Sequence, residues 1–447
     1  MTSAARPSVY IETYGCQMNV SDSELMLGSL AAHGYDEAQD PDSADVILVN
    51  TCAIREHAEQ RVIGRLGELK RNMKPGSVMG VTGCMAQRLG PRLLDSARHV
   101  SFVIGPDGYR ALPTLVEGAR RGERTTSTSF DLQEHYEDFK PRRFDKVKAW
   151  IPVQRGCDYR CTYCIVPTTR GPERSRRLAD VVRETTEVVA DGMTEVVLLG
   201  QTVNSYHDGE HDFADLLRAV GAVPGLRRLR FTSPHPNDFS ERVIAAMADV
   251  AAVCEHVHLP MQSGSTRVLK RMLRRYTRED YFDCVARLRA AIPGVSLTTD
   301  IIVGFPGETD ADFADTLSAA REIGFADAYT FKFSPREGTP ATRMPAEETV
   351  SDEVASARLA QLVETVRSAS RARNLSLLGQ RVEVMVEKEA RRGGDLFQAR
   401  TRDFKTVLVP GEATMLGRYF TVELTGTTGS TFIGAIVTER RPLPMAG

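Results

Sequence analysis

The sequence predicts an α/β protein in three parts: an N-terminal doubly wound parallel-sheet domain, a central partial (β/α)6 barrel, and a C-terminal small all-β, OB-like barrel. Three observations predict it. Apolar strands alternate with helices over residues 8–105 and again from Ala149, as in parallel sheets covered by helices. Cysteines follow strands in both series, at the edge where open α/β sheets bind ligands. Five short β-type runs separated by turn residues close the chain, the size of a small barrel.

In the first part, Val9-Tyr10-Ile11-Glu12-Thr13 reads as a strand. Ser21-Asp22-Ser23-Glu24 reads as a capping box before a helix carrying Leu25, Leu27 and Leu30, stopped by Gly34. Strands over 46–49, 77–82 and 102–104 then alternate with helices near 56–73 and 88–97. Cys16, Cys52 and Cys84 follow the first three strands, beside Gly15, Asn50-Thr51 and Gly83. One free cysteine is a common core residue; three at equivalent positions favour a metal site. Residues 120–147 are polar and charged and read as a surface linker.

The second series predicts strands at 150–155, 195–199, 227–231, 256–260, 296–302 and 328–332. Helices fall near 177–191, 213–220, 239–249, 265–273, 279–291 and 309–323. Six βα units without a seventh and eighth make an open barrel, with the chemistry at the carboxyl edge. A helical segment near 351–376 leads into β-type runs at 381–386, 397–400, 405–409, 419–424 and 433–437. Cys254 and Cys284 read as core residues, and Trp150 packs where the first barrel strand begins.

Composition limits the function. Of 447 residues, 42% are hydrophobic and 26% charged, and the net charge of -2 leaves nucleic-acid binding to local patches. No apolar run approaches the ~20 residues of a membrane span, and the start lacks the apolar core of a secretory signal. A cytoplasmic location is expected, where clustered thiols point to metal or catalysis rather than disulfides.

The strongest signal is the loop Gly156-Cys157-Asp158-Tyr159-Arg160-Cys161-Thr162-Tyr163-Cys164, a C-x3-C-x2-C spacing after the first barrel strand. Three thiolates leave one corner of an iron–sulfur cubane open, whereas structural zinc closes with four ligands. No further Cys or His follows until His207, which argues against zinc. Tyr163 puts a ring beside the metal, where a nucleobase can pack.

This loop resembles the radical S-adenosylmethionine (SAM) superfamily. The stretches Thr13 to Asn19, Asn50-Thr51-Cys52, Gly83-Cys84, Gly156 to Gly171, Leu199 to Tyr206, His258 to Ser265 and Asp300 to Thr309 resemble its methylthiotransferases, in particular the MiaB-type family that acts on tRNA. The resemblance implies an enzyme with two [4Fe-4S] clusters. Cys157, Cys161 and Cys164 would hold the cluster that cleaves SAM to a 5′-deoxyadenosyl radical. Cys16, Cys52 and Cys84 would hold the auxiliary cluster that supplies sulfur. The hard step thus goes to cofactors, and no acid among Asp158, Glu173, Asp300 and Glu308 is assigned as catalytic. The implied parts are a methylthiotransferase domain (1–120), a linker (121–147), a radical SAM domain (148–376) and a TRAM RNA-binding barrel (377–442). SAM contacts are expected from Tyr163, Gly200, Gln201, Ser233, Gln262, Asp300 and Gly304, for each of which a capping or turn role is the alternative.

The implied reaction is methylthiolation of carbon 2 of N6-isopentenyladenosine at position 37, in the anticodon stem-loop of tRNA. An electron donor such as flavodoxin or ferredoxin and a monomeric state are expected. Alternatives are a ribosomal-protein aspartate or threonylcarbamoyl-adenosine as substrate, or a non-catalytic RNA-binding redox sensor. Arg170, Arg174, Arg176 and Arg177 are expected to meet RNA phosphates. The run Arg267, Lys270, Arg271, Arg274, Arg275 and Arg278 reads equally as a solvated helix face. Phe397, Phe404 and Tyr419 of the last barrel are base-stacking or, for most of them, core positions.

Overall fold

The computed structural model describes residues 6–53, 56–391 and 394–440. The first five residues, part of the stretch read for a secretory signal, and residues 441–442 of the last part lie outside them. The amino-terminal domain runs β1 (Ser8–Thr13), α1 (Gln17–Ala32), β2 (Asp36–Glu37), β3 (Val46–Thr51), α2 (Glu56–Asn72), β4 (Val78–Gly83), α3 (Cys84–Leu89), α4 (Pro91–Ser96), β5 (Phe102–Ile104), α5 (Leu112–Arg120) and β6 (Thr125–Ser127). The strands form one parallel sheet in the order β2-β1-β3-β4-β5-β6. Val46, Leu48, Phe102 and Ile104 pack with Leu27 of α1 and Val116 of α5. Their neighbours Ile47, Val49, Met79 and Val81 pack with Leu66 of α2 and Leu93 of α4. Helices therefore cover both faces, as expected. The order reverses between β1 and β3, so Cys16 and Cys52 flank the switch point at which such sheets bind ligands.

Two differences from expectation stand out. Thr125–Ser127, inside the stretch read as linker, is the sixth strand and pairs with Phe102–Ile104; a polar, three-residue edge strand carries little hydrophobic period. Ser21-Asp22-Ser23-Glu24 does not cap α1. The helix starts at Gln17 with Cys16 as its cap, and the polar run lies inside it, buried. Those side chains are spent on tertiary bonds: Ser23 with Asn50 and Thr13, Glu24 with Arg143, Asp22 with Arg155 and Arg170.

The central part runs β7 (Lys148–Pro152), β8 (Gln154–Arg155), α6 (Val166–Arg170), β9 (Arg174–Ser175), α7 (Leu178–Ala190), β10 (Glu195–Leu199), α8 (Phe213–Gly221), β11 (Arg228–Phe231), α9 (Glu241–Asp249), β12 (His256–His258), α10 (Thr266–Arg271), α11 (Arg278–Ala291), β13 (Ser296–Val303), α12 (Asp310–Ile323), β14 (Asp327–Lys332) and α13 (Asp352–Ser376). Its long strands form two parallel sheets, β11-β10-β7 and β12-β13-β14, with an isolated bridge between Leu229 of β11 and Val253, just before β12. The helices bury their apolar faces against one side of these strands, and Cys254 and Cys284 are buried. Trp150 packs with Met18, Val197 and Leu199.

The last five strands, β15 (Arg381–Glu389), β16 (Leu396–Thr401), β17 (Thr406–Pro410), β18 (Tyr419–Thr427) and β19 (Thr431–Arg440), close into a barrel in the order β15-β16-β17-β19-β18. Val384, Val386, Ala399, Val407, Phe420 and Phe432 fill it. The barrel docks on the amino ends of the central strands. Arg228, wholly buried at the start of β11, donates to Arg400 O at 2.8 Å and pairs with Glu383 at 3.2 Å. Arg230 donates to Thr401 O and Arg402 O, and Arg402 pairs with Glu255 before β12. No helix among the described residues is long and apolar enough to cross a membrane.

Candidate metal and cofactor site

Each cysteine loop is a strand-to-helix turn made possible by local geometry. Gly15, Gly83 and Gly156 precede Cys16, Cys84 and Cys157, all at positive φ (134°, 89° and 78°). A Cβ on Gly15 would sit 2.9 Å from Cys52 Cβ, one on Gly83 2.4 Å from Asn50 Oδ1, and one on Gly156 1.9 Å from Pro172 O. Only glycine fits such turns at such approach. Asn19 ties the first loops together: its Oδ1 accepts from Cys16 N at 3.4 Å and its Nδ2 donates to Thr51 O at 3.1 Å. Asn50 Nδ2 returns a bond to Asn19 O at 2.8 Å. The barrel loop is held by Cys157 N to Gly171 O (3.1 Å) and Thr162 N to Met272 O (3.0 Å).

The amino-terminal and central domains pack together through α1. Asp22 of α1, with no exposure, accepts from Arg155 at 2.9 Å and Arg170 at 2.7 Å, both from the central domain. Arg174 grips Asp107 with both guanidinium nitrogens. Between the domains lies a cavity of about 300 Å³ whose walls include Cys16, Cys84, Cys157, Cys161 and Cys164; Ala53 brings in the neighbour of Cys52. Five of the six expected ligands thus face one space, and Cys52 is buried beside it.

The donors suit iron–sulfur clusters. Burial pushes the Cys84 and Cys157 thiols up and Cys164 up to about 12, so they release protons only to a positive centre. The Arg170 guanidinium opposes that shift at Cys84. Arg274 Nη1 donates to Cys161 Sγ at 3.5 Å, and Cys157 Sγ shares a hydrogen with Thr202 Oγ1 at 3.2 Å; such bonds tune cluster potentials. Among the described residues no three His, Cys, Asp or Glu side chains stand close enough for a single metal ion.

Of the expected SAM contacts, Tyr163, Gly200, Gln201, Ser233, Gln262 and Asp300 line the cavity. Ser233 and Gln262 hold φ of +57° and +67° without being glycine, strain of the kind that collects at binding sites. Gln201 Oε1 is buried without a protein partner. Gly304 lies elsewhere: its N–H bonds Glu308 Oε1, and a Cβ there would meet Ala355 of α13 at 2.8 Å. It is a packing and turn glycine.

Arg174 and Arg176 do not fit the expectation of RNA contact, whereas Arg170 lines the cavity. All three are buried, on Asp22, Asp107 and Glu184; Arg177 alone is exposed. Their spacing gave a basic patch, and their carboxylate partners were too distant in sequence to foresee. Phe397 and Tyr419 are buried, and Phe404 stacks on His256 at 4.5 Å. Sequence reading also missed His235, which stacks on Tyr159 at 3.9 Å and lines the cavity. Burial, with Arg274 and Arg275 nearby, drops its pKa to about 2 and keeps the ring neutral. The pair Ser233–His235 at the end of β11 was the available signal.

Comparison with known proteins agrees. Residues 8–105 match the family model "Uncharacterized protein family UPF0004", and residues 151–320 match "Radical SAM superfamily". Solved structures share the fold: the radical SAM methyltransferase TsrM of Kitasatospora setae gives a TM-score of 0.57 at 17% identity, covering 77% of this chain and 78% of that one. The cobalamin-dependent SAM radical enzyme OxsB gives 0.54 at 11% identity, covering 81% and 58%. Fold and cysteine loop define a radical SAM enzyme. Full-length relatives go further. The tRNA-2-methylthio-N(6)-dimethylallyladenosine synthase of Acetivibrio thermocellus is 43% identical over 96% of this chain and 90% of its own length. That of Geobacter sulfurreducens is 42% identical over 97% and 98%. The chain belongs to the family of tRNA-2-methylthio-N(6)-dimethylallyladenosine synthases.

Proposed function

We propose that this enzyme methylthiolates carbon 2 of N6-isopentenyladenosine at position 37 of tRNA. The observation that carries the reading is the single cavity onto which both cysteine sets open. Cys157, Cys161 and Cys164 would hold one [4Fe-4S] cluster, and Cys16, Cys52 and Cys84 the auxiliary one. When bound, the clusters and SAM supply the radical, the sulfur and the methyl group. The chain's own part is to orient and to exclude water. Arg274 and Thr202 hydrogen-bond the cluster thiolates. Gln201, Ser233, Gln262 and Asp300 offer polar groups to SAM from the strand ends, with Gly200 allowing close approach and Tyr163 walling the apolar side. The two three-stranded sheets then act as one open six-stranded arc. An external carrier such as flavodoxin or ferredoxin delivers the electron to a monomer. The names of the relatives specify the dimethylallyl nucleoside, which disfavours a ribosomal-protein aspartate or threonylcarbamoyl-adenosine.

Nucleoside mass spectrometry of tRNA from a strain lacking the chain tests this. The methylthio group should vanish and the isopentenyl group remain; unchanged tRNA refutes the reading. In vitro, Cys16→Ala should keep SAM cleavage and lose methylthiolated product. Full product from that variant would remove the auxiliary cluster from the scheme.

A further inference from the structure

Arg174 and Arg176, after the cluster loop, are buried on carboxylates, and Phe397 and Tyr419 of the last barrel are buried, with Phe404 stacked on His256. A route for RNA to the cavity lies elsewhere. β14 is the edge strand of its sheet, and the side chains of β12, β13 and β14 that face away from the helices are polar along most of their length (His256, His258, Thr298, Asp300, Asp327 and Tyr329), giving way to Ile302 opposite Phe331 at the carboxyl end. Their cross-strand register sets His258 opposite Thr298 and Asp300 opposite Tyr329. Tyr329 is 58% exposed, more than any other Phe, Tyr or Trp side chain whose exposure is described. In a closed barrel this face would be filled by packed side chains.

The row is continuous from the last barrel to the cavity. Phe404 of the barrel stacks on His256 at the start of β12. His258, two residues on, meets the Tyr329 ring edge to face at 5.8 Å and places Nε2 3.4 Å from Asp300 Oδ1. Asp300 is a wall of the cavity. The row carries rings and two carboxylates. Carboxylates repel phosphate, whereas rings accept the face of any base, and ribose hydroxyls bond carboxylate and imidazole.

We infer that this open side is where single-stranded RNA enters, with Tyr329 the platform on which a base of the substrate loop stacks at the cavity mouth. The inference rests on the tRNA reading above and adds the surface that recognises it. Tyr329 is a positioning residue, and its ring rather than its hydroxyl matters.

The test is binding of the reconstituted holoenzyme to a synthetic anticodon stem-loop hairpin carrying N6-isopentenyladenosine, read by fluorescence anisotropy, together with KM and kcat. Tyr329→Ala should weaken binding about ten-fold, the order of one lost base–aromatic stack, and raise KM more than it lowers kcat. Tyr329→Phe should restore both. Unchanged binding and KM in Tyr329→Ala, with a wild type that binds and modifies the hairpin, would overturn this inference and leave the tRNA reading standing. A wild type that neither binds nor modifies the hairpin would overturn both. Equal loss in Tyr329→Phe would assign the effect to the hydroxyl and overturn the stacking role.

Discussion

Two residues near the radical cluster carry consequences of their own. Gly156 stands at φ +78° with Pro172 O where a Cβ would be. Gly156→Ala must therefore move the loop that carries Cys157. On the two-cluster proposal, purified, reconstituted Gly156→Ala should hold roughly half the iron of the wild type, since one of the two proposed clusters would be lost; full iron content would show that the loop tolerates the shift. Glu173 is the second. Burial pushes its carboxyl up to about 7, partly offset by the bond from Ser205. The folded protein binds that proton more tightly than the unfolded chain, so this group's contribution to stability declines as pH rises from the ordinary glutamate range through about 7. Glu173→Gln should flatten the fall in urea midpoint between about pH 5 and pH 8; an unchanged slope would assign the decline to other groups.

At the scale of elements, α1 is the joint of the molecule. A helix normally stabilises itself through an apolar stripe. This one buries Asp22, Ser23 and Glu24 as well as Leu25, Met26, Leu27 and Leu30, because it is wedged between its own sheet and the β7–β8 segment. Asp22 balances two buried arginines, Arg155 and Arg170. Removing one member of such a network strands the others, at a cost of about 3–5 kcal/mol. Asp22→Asn should lower the denaturation midpoint accordingly and, if Cys16, Cys52 and Cys84 hold the proposed auxiliary cluster, reduce its iron retention, since Arg170 lies beside Cys84. An unchanged midpoint would mean the arginines find solvent. The same helix marks what was legible in the sequence. Its existence and the positions of Cys16, Cys52 and Cys84 followed from period and strand ends, which are local. The role of Ser21 to Glu24 did not, because capping residues and buried polar partners are the same residue types, and the partners of Asp22 and Glu24 lie over 100 residues away. Gly304 failed for the same reason: its neighbour is Ala355, on a helix whose docking no local pattern announces.

At the scale of the whole molecule, the small barrel and the cavity occupy opposite ends of the central strands. β10 alone has five residues, about 16 Å of strand. One RNA that touches both must run along the side of the sheets, and the β12–β14 face supplies that side. The docking of the barrel is then part of the active geometry, though it contributes nothing to SAM chemistry. Arg228 is its centre: a buried guanidinium bonded to Arg400 O and paired with Glu383 from the barrel and Glu195 from β10. Arg228→Ala takes one of two arginines from Glu383, which keeps Arg227, and opens a void at the joint. The barrel should loosen, and trypsin should cut sooner between α13 and β15. Modification of hairpin RNA should fall about ten-fold or more, while SAM cleavage without RNA stays at the wild-type rate, because the cavity walls lie at the other end of the strands. If SAM cleavage falls as far as RNA modification, the docking site also supports the cavity, and the two ends are coupled through the strands rather than through the RNA.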